Sequence, residues 1–407
     1  MTIPARHAAR YALVLLFSVN LLNYVDRQII YAIFPLIKAE LHLSDTALGF
    51  LGSAFMVVYM CSAPLLGWLG DRFSRPRNAA VCWGIQAAAT TLCGIATGYG
   101  QLLLGRAAIG VGEAGFGTAA PGLLADFFPK ERRSRILSLF FLAIPVGSAL
   151  GYLIGGLLGH HFGWQAAFLI VGIPEFLLIL PLWLLREPAR GSADGEDPSP
   201  APLPSYTTLL TNRTFVLTTL AMAAMTFAIG GLAQWIPSFL NRVHGLDVAR
   251  GNTLFGLLTV VAGTIGTLAG GWLGDRLQQR SAGGYFLVSG VGFLIGAPLA
   301  ALAITTTALP VCLAAMFAAE CFLFLNTGPL NTIIINVTHP SQRSMAFAVN
   351  IFFIHLLGDA FSPTLIGWLS DLWGLRQALL ATSAAIALAA GICFATMAAT
   401  RGELRNP

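Results

Sequence analysis

Charge is what this sequence has least of. Only 10% of its 407 residues are Asp, Glu, Lys or Arg, against about 25% in soluble domains. A chain of this size with so few charges cannot solvate its own surface, so its solvent must be lipid. Long polar stretches are scarce as well. The one that stands out, Arg186 to Asn212, contains GSADGEDPSPAPLP and reads as a flexible linker. That leaves no room for a soluble domain. The six cysteines (Cys61, Cys82, Cys93, Cys312, Cys321, Cys393) fall inside apolar runs without metal-ligand spacing, and read as small packing residues. No nucleophile elbow, metal-ligand cluster or Walker loop occurs, which argues against enzymatic chemistry, a bound cofactor and ATP-driven transport on this chain. The segment before the first apolar run is too short for a cleaved signal.

What is present is apolar: 56% hydrophobic residues and a mean hydropathy of +0.75. A membrane-spanning helix needs about 20 apolar residues, so twelve spans use about 240 of the 407. Apolar runs predict helices at 9–36, 45–69, 76–98, 101–128, 134–160 and 164–185, then at 213–240, 251–275, 282–306, 308–336, 342–370 and 375–400. The expected fold is therefore an all-α membrane protein of two six-helix bundles, 1–185 and 213–407, joined by the linker 186–212. The 44 glycines suit helices that pack closely in lipid. With the N-terminus in the cytoplasm, seventeen Lys and Arg residues fall on that side. Four (Lys38, Arg242, Arg250, Arg376) fall on the other, and Arg27 and Arg106 lie inside helices. This positive-inside bias predicts both termini cytoplasmic in the cell membrane, the inner membrane if bacterial. The net charge of +5 then reflects topology, with no nucleic-acid partner.

The hexapeptide GWLGDR occurs at Gly67–Arg72 and again, letter for letter, at Gly271–Arg276, 204 residues later. Each copy closes the second span of its half. Pro129 and Arg133–Ser134 recur as Pro340 and Arg343–Ser344, and Glu113 followed by Pro121 resembles Glu320 followed by Pro329. A consistent offset means duplication. Repeated membrane halves about a midplane site are how many secondary transporters achieve alternating access.

Three motifs carry a family resemblance. G-W-L-G-D-R-F-S-R-P-R at Gly67–Arg77 resembles the signature loop of the major facilitator superfamily, and Arg106-x-x-x-Gly110-x-Gly112 resembles its second motif. N-Y-V-D-R at Asn23–Arg27, R-A-A-I-G-V-G-E-A at Arg106–Ala114, and the run from Arg133 to Tyr152 are similar to the spinster branch, densely over residues 20–175. The resemblance implies the superfamily fold and a carrier of lysolipids and sphingoid lipids, proton-coupled in some members. Its expected partners are such an amphiphile and membrane lipids, with the chain a monomer.

An ionisable group in mid-bilayer costs about 2.5–3.5 kcal/mol or more, so it normally faces a cavity or a partner. The first span carries Asp26 and Arg27, with Asn23 one turn back to share hydrogen bonds. The fourth carries Arg106 and Glu113, seven residues apart and so on one face. By resemblance both spans line a central cavity, where these four side chains would form a buried cluster of zero net charge that takes a proton and an ionic headgroup in exchange. The alternatives are that the pairs only hold helices together, that Arg106 bonds backbone carbonyls exposed by glycines, or that Asp26 orients Arg27.

Asp71, Arg72, Arg75 and Arg77, with Asp126 at the end of the fourth span, form by resemblance a conformational latch, and Asp275 and Arg276 are its weaker counterparts. A solvated topogenic loop would explain the arginines but not the duplicated aspartate. Gly147, Gly151, Gly155 and Gly156 on the fifth span suit the seam between the halves. Known drug antiporters carry a Gly-Pro there, which this chain lacks. In the second half, Glu320 joins the substrate and proton candidates, and Phe322, Phe324 and Asn326 are expected to line the cavity. The seventh span offers Gln234 and Trp235. His355 and Asp359 lie one turn apart and can pair in a gating or packing role. Glu175 is expected at the periphery. The competing functions are a carrier of another small solute (an organic anion or drug) and a non-transporting receptor or scramblase.

Overall fold

A computed structural model describes residues 3–43, 45–193, 206–246 and 248–399, and every regular element in them is helical. Residues 194–205 of the linker, Arg401 and Arg405 lie outside the described residues, as do the side chains of Lys38 and Gln234. The helices are α1 (Ile3–Leu41), α2 (Asp45–Arg72), α3 (Arg75–Gly94), α4 (Tyr99–Phe127), α5 (Arg133–Phe141), α6 (Ala143–Phe162), α7 (Trp164–Glu175), α8 (Ile179–Leu184) and α9 (Tyr206–Thr211). They continue with α10 (Arg213–His244), α11 (Val248–Gln278), α12 (Gly284–Thr305), α13 (Leu309–Leu323), α14 (Thr327–Asn336), α15 (Arg343–Ile354), α16 (Ser362–Trp373) and α17 (Leu375–Ala399). In a bilayer only a helix or a closed barrel satisfies every backbone group, and apolar runs of this length choose the helix.

Nine helical stretches among the described residues are long and apolar enough to cross a membrane. The other three expected spans are helical too. They are α3, which carries Gln86 and Thr90, α4, which carries Arg106, Glu113 and Asp126, and α15–α16, broken by a π-turn at His355–Asp359. All three are interrupted by the polar or irregular features that a functional interior requires. Two glycines end helices at equivalent places in the halves: Gly163 after α6 and Gly374 after α16, each at φ 85° with ψ 161° and 153°. That region of backbone space is essentially closed to side-chain-bearing residues.

The chain forms two compact units. One holds residues 1–130 and 143–206 with the segment 338–352; the other holds 207–337 and 353–407 with the segment 131–142. The units thus exchange a short piece of each sequence half: α15 packs in the first and α5 in the second. The core of the first runs along Val25, Ile29 and Ile33 of α1, Phe55 and Tyr59 of α2, Ile109 of α4 and Trp164 and Phe168 of α7. That of the second runs along Ile236, Phe239 and Leu240 of α10, Met316 of α13 and Leu379 of α17.

The glycine ladder does not mark a seam between halves. Side chains added at Gly147, Gly151, Gly155 and Gly159 would strike Leu21, Tyr24, Val25, Ile29 and Ile33 of α1, so the ladder seats α6 on α1 inside the first unit. Its spacing gave no hint of the partner, because any close-packed helix wants the same stripe.

Candidate functional site

The polar centre of the first unit is built where α1, α2, α3 and α4 face one another. Asp26 and Arg27 are neighbours in sequence, so on a helix they point about 100° apart. Asp26 turns toward α3, where its Oδ2 accepts the Thr90 hydroxyl at 2.7 Å and the Gln86 amide at 3.5 Å. The same Gln86 nitrogen donates to Asn23 Oδ1 at 2.8 Å, so one amide ties two turns of α1 to α3. Arg27 turns the other way and donates to Glu113 Oε1 at 3.2 Å. Its guanidinium lies 5.8, 5.1 and 5.8 Å from the ring centres of Tyr24, Phe55 and Tyr59, an aromatic collar that favours a cation. Arg106 shares the Phe55 ring with Arg27, 4.9 Å from its centre. Its three guanidinium nitrogens are buried and make no hydrogen bond among the described residues.

Asp26, Arg106 and Glu113 are closed off at 0%, 0% and 2% exposure. Arg27 keeps 14% of its side chain accessible. It is therefore the member of the cluster that a ligand can reach.

The second polar assembly of this unit surrounds Arg75 at the start of α3. Its guanidinium donates to Asp71 Oδ1 (2.8 Å), Asp126 Oδ2 (2.7 Å), the Pro340 carbonyl (2.6 Å) and the Ser344 hydroxyl (3.0 Å). Asp126 also receives Arg343 at 2.5 Å. Asp71 caps α15, accepting the amides of Ser344 at 3.0 Å and Met345 at 2.6 Å. A carboxylate at a helix N-terminus satisfies amides that have no partner within the helix and complements its dipole. The start of the linker closes over this group. Glu187 accepts the Arg75 amide at 3.1 Å, Gly191 donates to Asp126 Oδ1 at 3.0 Å, and Arg190 caps the carbonyls of Gly70, Asp71 and Phe73. Burial, and next to it the charge of Arg75, lower the pKa of Arg190 below the ordinary arginine value.

The second unit repeats the cap with fewer charges. Asp275 accepts the amides of Ser134 (3.2 Å) and Arg135 (3.0 Å) at the start of α5, and the Tyr285 hydroxyl at 3.1 Å. Arg133 donates to Asn336 at 2.7 Å, in the position that Asp126 takes for Arg343.

The sequence and the fold have known counterparts. Residues 16–363 match the model of the Major Facilitator Superfamily. Protein spinster homolog 1 of Homo sapiens is 35% identical over 393 residues, covering 90% of this chain and 74% of the relative. The same-named protein of Xenopus tropicalis is 34% identical, covering 91% and 74%. The chain belongs to the major facilitator superfamily, in its spinster-like branch. It spans 62% of the length of Protein spinster of Drosophila melanogaster, to which it is 33% identical. The crystal structure of a bacterial homolog to the human lysosomal transporter Spinster, inward-facing and unoccupied, is similar with a TM-score of 0.72 at 25% identity, over 99% of both chains. The superfamily transporter FucP in its outward conformation gives 0.79 at 17% identity, a likeness of fold, over 96% of this chain and 99% of that one. Membership makes this spinster-like chain a multi-pass membrane protein of a transporter family and sets it apart from classical enzymes.

Several expectations change in the spinster-like frame. The four ionic residues lie together, with Arg27 paired to Glu113, Asp26 hydrogen-bonded to uncharged side chains within electrostatic reach of Arg106 and Glu113, and both guanidinium groups over the Phe55 ring. Asp26 does not orient Arg27, and Arg106 does not bond backbone carbonyls. Asn23 shares a hydrogen-bond donor with Asp26 through Gln86, a residue the sequence reading passed over because an uncharged amide in an apolar run has no distinctive signal. Arg72 and Arg276 stand outside the latch, exposed, each over the tryptophan four residues back at 5.3 and 5.1 Å. Arg77 lies likewise over Trp183 at 5.7 Å. Arg343 takes the place expected of Arg72.

Glu175 is fully buried rather than peripheral. The small cavity beside Glu320 is walled on the same helix by Met316, Ala319 and Leu323, while Phe324 packs on Gly266 of α11 and Asn326 folds back on the Leu323 carbonyl. His355 and Asp359 do pair, at 2.8 Å, inside the π-turn, and Gly230 of α10 lies against Asp359. Trp235 packs on Gly367 of α16.

Proposed function

We propose that the protein is a secondary transporter that moves an amphiphile with an ionic head, of the lysolipid or sphingoid class, by alternating access. One observation carries the reading: Arg27, the member of the charge group that keeps part of its side chain accessible, is collared by three aromatic rings and held by one carboxylate. Aromatic faces hold both the cation and the apolar part of a ligand next to its head. An anionic head competes with Glu113 for Arg27. A proton taken up by Glu113 favours the head, and its loss restores the pair, which would couple substrate to protons. Asp26, Asn23 and Arg106 hold the walls in place.

Alternating access requires the caps to break and re-form: Asp71 with Arg75 and Asp126 on α15, and Asp275 on α5. Each cap joins one sequence half, 1–185 or 213–407, to the other. The remaining assignments fit the same reading: a monomer, both termini cytoplasmic, in the cell membrane or a bacterial inner membrane, with no cofactor or nucleic-acid partner.

The test is uptake of labelled lysolipid into liposomes with and without a pH gradient. Movement of the long-chain lysolipid, but not of short organic acids of equal charge, supports the assignment. Transport of the short acids alone overturns it in favour of a carrier of small anions. Lysolipid movement that survives a cross-link from α2 to α15 would mean scrambling. In binding assays Arg27→Ala should weaken an anionic lysolipid much more than a neutral analogue; equal losses would mean that Arg27 is structural.

A further inference from the structure

The helix caps use the aspartate of the duplicated hexapeptide GWLGDR. Its tryptophan and arginine are repeated just as strictly and take no part in the caps. In α2 the guanidinium of Arg72 lies 5.3 Å from the Trp68 ring centre, and in α11 that of Arg276 lies 5.1 Å from the Trp272 ring centre. Both arginines are exposed, and among the described residues neither forms an ion pair. The adjacent aspartates are occupied: Asp71 by Arg75 and the α15 amides, Asp275 by Tyr285 and the α5 amides.

Each pair ends an apolar stripe on the outer face of its helix. Leu65, 60% exposed, stands one turn before Trp68, and Ile265 (50%) and Leu268 (37%) stand two turns and one turn before Trp272. Such a stripe meets lipid tails. Tryptophan favours the level where tails give way to headgroups, and an arginine one turn further on reaches the level of the phosphates. Stacking on the indole occupies one face of the guanidinium and leaves the N–H groups of its edge free to bind phosphate oxygens in pairs. An arginine that only sets topology needs its charge alone, and does not need a tryptophan four residues before it in both halves.

We propose that each Trp–Arg pair docks the phosphodiester of an anionic phospholipid, in the leaflet at the end of α2 and α11 that carries Asp71 and Asp275. The bound headgroup then steadies the helical turn that presents each aspartate to its cap. This rests on the transporter reading only in taking that leaflet to be the cytoplasmic one. Phospholipid binding and lysolipid transport are separate measurements, so either can fail alone.

The experiment is native mass spectrometry of the purified full-length protein in a non-ionic detergent. It is titrated with dioleoyl phosphatidylglycerol or dioleoyl phosphatidylcholine, and with glycerol 3-phosphate as the headgroup without tails. Phosphatidylglycerol should be held more tightly than phosphatidylcholine, and Arg72→Gln and Arg276→Gln should each lower that preference about fivefold. Trp68→Leu/Trp272→Leu should lower it too, although every charge remains. Arg280→Gln removes an exposed arginine that stacks on no ring among the described residues, and should leave the preference intact. A loss in Arg280→Gln equal to that in Arg276→Gln, or a preference undiminished in Arg72→Gln/Arg276→Gln, overturns the proposal, as the arginines would then act by charge alone. Retention of glycerol 3-phosphate as strong as that of the lipid overturns it in favour of a free-phosphate site. If the tryptophan variant does not fold, the comparison of Arg276→Gln with Arg280→Gln decides.

Discussion

The carboxylate of Asp71 accepts the backbone amide of Ser344 at 3.0 Å, 273 residues further along the chain. Asp275 does the same for Ser134, 141 residues before it. One hexapeptide, written twice, thus caps two helices that each begin with Arg-Ser.

The two caps should not be worth the same. Asp71 also holds the buried guanidinium of Arg75, whereas Asp275 is met by a tyrosine hydroxyl and two amides. Breaking a buried ionic network by removing one partner costs about 3–5 kcal/mol; weakening a helix-terminal anion costs at most about 2 kcal/mol. Asp71→Asn should therefore lower the melting temperature in detergent more than Asp275→Asn. In spin-label measurements with probes at Arg72 and Arg276, both exposed, Asp71→Asn should add a second distance population. Equal melting shifts would show that the Arg75 pair adds nothing.

Arg72 and Arg75 make a second contrast. Arg75 is closed from solvent, with acceptors on both sides of its guanidinium. Arg75→Ala leaves Asp71 and Asp126 with an uncompensated charge between them and should cost about 3–5 kcal/mol. Arg72→Ala loses an exposed contact with Trp68 and should stay within about 0.5 kcal/mol. Thermal unfolding of the two variants checks this, and a large loss in Arg72→Ala would return that residue to the latch.

That contrast shows what the sequence could and could not say. The duplicated aspartate was legible because an exact repeat marks a position that each half needs. Which arginine it holds was not, since Arg72, Arg75 and Arg77 differ only in helix phase at the loop between α2 and α3, where phase is set by the turn. Glu113 with Arg27 was foreseeable as two charges that lipid would not tolerate apart. Gln86 and Thr90 were invisible, because uncharged residues in an apolar run do not disclose which face is buried. Glu175 gave no warning either, as a single carboxylate near a helix end reads the same whether it points to lipid, water or protein.

Glycine tests the packing under the cap. A Cβ on Gly67 would lie 2.7 Å from the Ser344 carbonyl oxygen and also strike Ala348, both on α15. Gly391, in α17, has open space where its Cβ would go. Ala ordinarily gains about 0.5–1 kcal/mol over Gly inside a helix. Gly391→Ala should accordingly raise the melting temperature slightly. Gly67→Ala should lower it and reduce transport, because α2 and α15 can no longer approach. Stabilisation by both substitutions would mean that this close approach is not needed.

The pair of Arg27 and Glu113 yields to a double-mutant cycle. Arg27→Met leaves Glu113, 2% exposed, without its guanidinium. Glu113→Gln leaves Arg27 with the aromatic collar and the Met56 sulfur for support. A buried charge stripped of its partner is the expensive species, while replacing both partners by neutral groups is often near neutral. Each single variant should thus be less stable than the double variant Arg27→Met/Glu113→Gln, measured by unfolding in nanodiscs. The shortfall should be larger for Arg27→Met, because Tyr24, Phe55 and Tyr59 still favour a cation when Glu113 is gone. Strictly additive losses would mean that the 3.2 Å contact contributes nothing to the fold, and would leave Arg27 free to act on substrate alone.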